Sequence, residues 1–406
     1  MSVPKLRFPE FSDAGEWEEK KLGDIAPLQR GFDLPTYNLE TGSIPVVYSN
    51  GIQNYHKEGM AKAPELVTGR SGTIGKLHFI EAGDYWPHNT ALWVTSFKHN
   101  IPKFVYFLYL VIGMERFASG SGVPTLNRNY VHAFETCIPL LPEQKKIADC
   151  LSSLDDRITA ETQKLDTLKA HKKGLMQQLF PAEGETLPKL RFPEFHKSGE
   201  WEEKSIQDLI DKKIIIGHLD GNHGALYPRA EEFSKEGVPY ISANDFITGH
   251  IDFNRCKYIS VQRALQFKKG VAKDGDILFA HNATVGPVAK LSTNFQFVIL
   301  STTATYFRCN QKYLINDFLK FALSSPSFVK QYTSVMSQST RNQVPITTQR
   351  KFNLQIPSIQ EQQKIADCLT SINEAIAAQS QAIDLLKLHK KGLMQQLFPS
   401  VEEVRR

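Results

Sequence analysis

The sequence predicts an α+β protein: two mixed α/β blocks separated by a pair of long coiled-coil helices, expected to run antiparallel, with a pseudo-two-fold internal repeat. Three observations carry this. HKKGLMQQLFP occurs at His171–Pro181 and again at His389–Pro399. PKLRFPEF at Pro4–Phe11 returns at Pro188–Phe195, and GEWEEK at Gly15 returns at Gly199, both shifted by 184. From Ile147 to Pro181 the chain matches Ile365 to Pro399 at 23 of 35 positions, shifted by 218. Each half therefore has an N-terminal segment, a variable block and a constant segment. The second variable block is longer by 34 residues, the difference between the two shifts.

The constant segment reads as a helix. Ile147, Leu151, Leu154, Ile158, Leu165, Leu168, Leu175 and Leu179 fall on a 4-3 spacing broken at Glu161 and Lys172. Ile365, Leu369, Ile372, Ile376, Ile383, Leu386, Leu393 and Leu397 keep the phase, broken at Gln379 and Lys390. Such a stripe is coiled-coil patterning and needs a partner helix, because it cannot stay in water. Prolines stand at each entry (Pro139 and Pro142; Pro357) and each end (Pro181; Pro399). They leave about 38 residues, roughly 57 Å at 1.5 Å per residue. The other copy is the nearest available partner. Equivalence about a pseudo-two-fold axis puts one block at each end of an antiparallel pair; parallel pairing with the blocks side by side is the alternative. Gly174 and Gly392 mark a close backbone approach or a bend.

The variable blocks read as strand and loop with one helix each. VVYSNGIQNYH near Val46 and VPYISANDFITGHIDF near Val238 are short β-branched segments broken by turn dipeptides. VTGRSGTIGKLHF at Val67–Phe79 has a counterpart in ILFAHNATVGPVAKL at Ile277–Leu291. Gly75 matches Gly286, whereas Arg70, Ser71, Thr73 and Lys76 face His281, Asn282, Thr284 and Pro287. The frame is shared and the polar residues differ. Helices are expected at Pro102–Ser119 and Ile315–Ser337, burying Phe104, Phe107, Leu108 and Val111. A third paired segment precedes each long helix, SGSGVPTLNRNYV from Ser119 and SQSTRNQVPITTQRKF from Ser337, with Pro124 set against Pro345. Arg, Lys, Asn and Gln in these segments are the side chains that form paired hydrogen bonds with base edges.

Composition bounds the function. The 406 residues suffice for two or three domains, 41% hydrophobic and 22% charged residues are those of a globular protein, and a net charge of +5 permits a nucleic-acid partner without requiring one. With no apolar leader and no run long enough to span a bilayer, a cytoplasmic protein without membrane contact is expected. The five cysteines form no CxxC pair and have no histidine at ligand spacing, so no metal site is expected; Cys150 and Cys368 read as small buried hydrophobes. GxxxxGK[ST], GxSxG and HExxH are absent, and Asp155 and Asp156 read as solvent-facing residues beside the seam. No constellation supports acid–base or nucleophilic catalysis, so a binding and positioning protein is expected rather than an enzyme.

Several ordered motifs resemble the specificity subunit of type I restriction-modification enzymes. They are PKLRFPEF with the following Trp17, the GRSGTIGK turn, VPTLN, IPLLPEQKKIADCL with its second copy LQIPSIQEQQKIADCL, and KKGLMQQLFP. The resemblance covers essentially the whole chain. It implies two target-recognition domains, at 1–141 and 180–357, separated by conserved helices at 142–179 and 358–406. Each domain would read a few base pairs of a bipartite, asymmetric duplex DNA target, and the helices would fix the gap. It further implies two modification subunits that methylate adenine N6 from S-adenosylmethionine, and two restriction subunits that use ATP and Mg. No cofactor is expected on this chain itself.

On that resemblance the expected DNA-contacting residues are Arg30, Asn50, Arg70, Lys76, Asn127 and Arg128 in the first block. In the second they are Asn244, His281, Asn282, Arg341, Asn342 and Gln343. The outward faces near Lys145, Lys146, Arg157, Lys164 and Lys172 are expected to meet partners or solvent. The competing reading is a two-headed coiled-coil adaptor that binds proteins and has no DNA specificity.

Overall fold

A computed structural model describes residues 3–120, 124–221, 227–247, 249–337 and 342–400. The chain divides into two compact units. Unit 1 comprises 1–163 and 380–406, and unit 2 comprises 164–379. Each unit thus takes the start of one long helix and the end of the other.

Unit 1 holds two four-stranded sheets. One is antiparallel, in the order Leu28–Arg30, Ala91–Val94, Glu65–Gly69, Leu77–Ile80. The other runs Gly51–His56, Ile44–Tyr48, Asp84–Pro87, Ala61–Lys62, with its central pair parallel. Unit 2 repeats the first sheet as Ile215–Asp220, Ala304–Cys309, Ile277–Asn282, Thr284–Lys290. Its second sheet has five strands, again with one parallel pair, Val238–Ile241 beside Val298–Leu300. The helix Pro102–Ile112 buries Phe104, Val105, Phe107 and Leu108 in unit 1. It stops short of the expected Ser119 because Gly113, at φ 74°, ends it in a conformation that a Cβ resists. The expected helix Ile315–Ser337 is two helices, Asn316–Ala322 and Pro326–Ser337. Pro326 has no N–H to continue the first and suits the opening turn of the second.

The long helices run Leu141–Gln178 and Ile359–Leu397, 38 and 39 residues. Of the sixteen stripe positions, Ile147, Leu151, Leu165, Leu179, Ile365, Leu369, Ile372, Ile383 and Leu397 are buried, and the other seven are half-buried. Gly174 and Gly392 have nothing within 4 Å of where a Cβ would sit, so neither marks a close approach. Cys150 and Cys368 are half-buried rather than buried.

The repeated motifs acquire a reason in the packing. In unit 1 Trp17 meets Phe104 edge-on at 6.2 Å and Phe398 at 6.2 Å, and Phe104 stacks on Phe398 at 5.5 Å. In unit 2 Trp201, Phe318 and Phe180 repeat the triad, at 6.1 Å, 6.2 Å and 5.7 Å. The Phe of each HKKGLMQQLFP copy therefore plugs the core that the Trp of a GEWEEK copy begins. Arg7 donates Nε and Nη2 to the two oxygens of Glu143 at 2.8 and 2.7 Å, and Trp17 Nε1 donates to the same carboxylate at 3.3 Å. Arg191, Glu361 and Trp201 do likewise at 2.7, 2.8 and 3.3 Å. The neighbouring Gln144 and Gln362 accept from Ile101 and Ile315 backbone N–H groups and donate to Pro139 and Pro357 carbonyls. The EQ pair opening each long helix thus clamps it to its own unit.

Asp155, expected to face solvent, is half-buried: its side chain is 41% exposed and accepts from Lys390 Nζ at both oxygens, at 2.5 and 2.7 Å, while Asp156 is exposed.

Candidate nucleic-acid interface

In each unit a hairpin tip and the strap ahead of a long helix are sewn together in the same way. In unit 1 the hairpin Glu65–Gly69/Leu77–Ile80 ends in Arg70, whose carbonyl accepts from Leu126 N at 2.8 Å, and Ser71 bridges to Thr125. In unit 2 the His281 carbonyl accepts from Val344 N at 2.8 Å, and Asn282 bridges to Gln343. Leu126 and Val344 are buried anchors, 1% and 0% exposed. This register corrects the expected match of Pro124 with Pro345. Leu126 corresponds to Val344, which sets Pro345 in the place of Asn127. Both residues are the N-caps of short helices, Arg128–His132 and Ile346–Gln349.

A half-buried threonine ties each tip to the second sheet. Thr90 gives its carbonyl to Arg70 and Ser71 N–H groups and its Oγ1 to Ser49 N. Thr303 gives its carbonyl to His281 N and its Oγ1 to Ala243 N. Asn50 and Asn244 follow these anchored residues and are exposed in both units.

The expected residues of unit 1 gather around this tip. Lys76 Nζ donates to Asn50 O at 3.2 Å, and Arg70 Nη1 donates to Asn89 O at 3.4 Å. Asn89 bonds Asp33, which accepts from Arg30 Nη2 at 2.8 Å. Arg30, Asn50, Lys76 and Arg128 are exposed, and Arg70 and Asn127 half-buried. The Asn127 side-chain oxygen is committed to capping Asn129 N at 3.0 Å, which leaves its amide N–H₂ free to donate.

In unit 2 Asn342 O accepts from Ala283 N at 3.0 Å, closing the strap on the hairpin; Asn244 and Asn342 are exposed, Asn282 and Gln343 half-buried. Arg341 lies outside the described residues. His281, expected on the surface, is 2% exposed. Its place on a central strand turns the ring inward, beside Thr305 Oγ1 at 3.4 Å. It belongs to a buried polar group in which Gln349 Nε2 donates to Thr305 Oγ1 at 3.2 Å and to Val344 O at 3.0 Å, and Gln349 Oε1 faces His218 Nε2 at 3.2 Å. Burial pushes the His218 imidazole down to about 4, so it is neutral at physiological pH. Unit 1 has the apolar Leu28, Leu92 and Val131 in the matching places. Gln349 and Thr303 gave no signal in the sequence, since their role depends on strands distant along the chain.

Gly75 and Gly286 are required by the tips. Both have positive φ, 77° and 117°, and a Cβ would fall 2.6 Å from the Glu115 carboxyl and 2.7 Å from the Tyr332 hydroxyl respectively. Gly286→Ala is expected to cost about 1–3 kcal/mol in thermal unfolding.

Residues 14–170 and 198–388 both match the model of the type I restriction modification DNA specificity domain. The chain belongs to that family. This specificity-domain protein is 22% identical over 412 residues to the type I restriction enzyme MjaVIII specificity subunit of Methanocaldococcus jannaschii, across 97% of this chain and 93% of that one. It is 25% identical over 420 residues to the putative MjaX specificity subunit of the same organism, across 94% and 93%. Its fold resembles the crystal structure of a type I restriction-modification S subunit from M. genitalium, with a TM-score of 0.63 at 14% identity over 98% and 99% of the two chains. The two matched segments contain the two sewn tips. Among the described residues no helix of the specificity-domain protein is long and apolar enough to cross a membrane.

Proposed function

We propose that this chain is the subunit that selects a bipartite, asymmetric DNA target and positions two adenine-N6 methyltransferase subunits on it, with two restriction subunits joining the full complex. S-adenosylmethionine, ATP and Mg would reside on those partners. The observation that carries the reading is the pair of sewn tips. One backbone frame, held by matching hydrogen bonds, carries Arg70, Lys76 and Arg128 in unit 1 and Asn282, Asn342 and Gln343 in unit 2. A duplicated frame with unlike donors and acceptors suits two different base sequences better than one repeated ligand. On this reading the recognition domains are 1–141 and 180–357.

The helices serve as the spacer. Within unit 1 the end of the second helix, Leu397, shares a core with Ile147 and Leu151 at the start of the first. Within unit 2 Leu179 shares a core with Ile365 and Leu369. Starts meeting ends within each unit supports antiparallel pairing of the helices. Roughly 57 Å of helix is long enough to hold surfaces spaced by one turn of duplex, about 34–36 Å.

Arg128→Ala tests the assignment of the tip. A base reader lost there is expected to cost about 1–3 kcal/mol on the target and to relax preference at one position. Binding to a series of singly mismatched duplexes measures this. Equal binding of every duplex by the variant and the wild type would remove Arg128 from the interface.

A further inference from the structure

The repeat contains one charge that is balanced in unit 1 and unbalanced in unit 2. Lys390 and Lys172 occupy the same place in the two HKKGLMQQLFP copies. In unit 1 Lys390 is 15% exposed, lies 5.0 Å over the Phe107 ring and binds both oxygens of Asp155. The residue of unit 2 that matches Asp155, under the 218-residue shift of the helices, is Asn373. Lys172 is half-buried and, among the described residues, makes no hydrogen bond or ion pair. Burial pulls its ammonium below the usual lysine range. The aromatic triads match Phe104 with Phe318, and this sets Phe321 in the place of Phe107 and Lys320 in the place of Tyr106. Lys320 is also half-buried and adds a second cation beside Lys172, with the exposed His250 next to both. The nearby carboxylate of Asp317 is engaged by Lys290 at 2.6 Å.

Two half-buried ammonium groups repel each other, and an anion between them would relieve that cost. Lys172 also rims an apolar groove of about 560 Å³, floored by Met176, Val329 and Ile376 and flanked by Lys169 and Lys173. We propose that this groove binds a carboxylate carried on an apolar segment of a partner polypeptide, in the place that Asp155 fills from within the chain in unit 1. The occupant of the matching slot is a carboxylate, and an apolar floor suits side-chain stems rather than a phosphodiester. The inference rests on the reading that the chain assembles with modification subunits, and it makes their two docking sites chemically unequal.

The test is titration calorimetry of the full chain with its modification subunit, together with the Tm of the chain alone. Lys172→Gln is expected to weaken one of the two binding events by about tenfold or more and to leave the other unchanged. Asn373→Asp supplies the missing carboxylate internally, so it is expected to raise the Tm of the free chain and to weaken the same binding event. Unchanged binding by both variants overturns the proposal. So does a loss of about 0.9 in the salt slope of duplex DNA binding with subunit binding intact, since the occupant would then be a phosphate. If the wild-type chain forms no complex, the functional reading falls separately, and the Tm decides the slot: a rise for Asn373→Asp supports it and no rise overturns it.

Discussion

Phe398→Ala is expected to lower the stability of unit 1, the unit of the N-terminal block, by about 3–5 kcal/mol. Phe398 directly follows the second long helix, which ends at Leu397. Here it is 2% exposed and closes the triad with Trp17 and Phe104, and Leu397 beside it is equally buried. The backbone is tied as well, with Leu6 N donating to Gln396 O at 2.9 Å. An alanine leaves a cavity beside the indole, whose remaining ring contact is Phe104. Hydrogen exchange localises the effect: faster exchange is expected in Pro102–Ile112 and not in Asn316–Ala322, whose Phe318 packs on Phe180 instead. Faster exchange in Asn316–Ala322 would contradict the packing described.

Glu361→Ala is expected to cost unit 2 a similar amount, about 3–5 kcal/mol, because it strands a buried guanidinium. The Arg191 and Glu361 side chains are 9% and 1% exposed, so water cannot replace the lost carboxylate. Arg191 would keep only the Ser198 and Gly199 carbonyls, at 2.9 and 3.1 Å, and Trp201 Nε1 would lose its acceptor. The double change Arg191→Leu, Glu361→Leu is expected to cost less than Glu361→Ala alone, since it removes the stranded charge as well as its partner. Chemical denaturation measures all three proteins. A Glu361→Ala cost within about 0.5 kcal/mol, that of an ordinary surface change, would show that the pair is not a fastening.

Much of this fold was legible in the repeat. The two shifts located the units' common parts, and the stripe from Ile147 to Leu179 marked a helix whose observed length is 38 residues. What the pattern could not show was which unit each helix end serves. Phe180 and Phe398 are identical in sequence context, and only the tertiary packing puts Phe398 with Trp17 and Phe180 with Trp201. The same limit governs the tips. Hairpin and strap both read as polar variable segments, yet matching their prolines sets the wrong register, because the anchors are the buried Leu126 and Val344 and their backbone bonds. His281 reads as a surface residue from its polarity, while its place on a central strand puts it in a buried network with Thr305 and Gln349. Polarity marks a side chain that needs a partner; whether the partner is water, a base or a neighbouring strand depends on residues far along the chain.

The central proposal is that the two unlike tips read the two parts of one DNA target, with the long helices as the spacer. Single-molecule sequencing of adenine methylation measures it most directly, in a host carrying this chain with its modification subunit and in the same host without the chain. The account predicts chain-dependent N6-methyladenine, one on each strand, in two specific half-sites separated by a fixed gap. It also predicts that the gap lengthens when one helical turn is inserted at matching points of both long helices. Methylation in one uninterrupted motif, or a gap indifferent to that insertion, would contradict it.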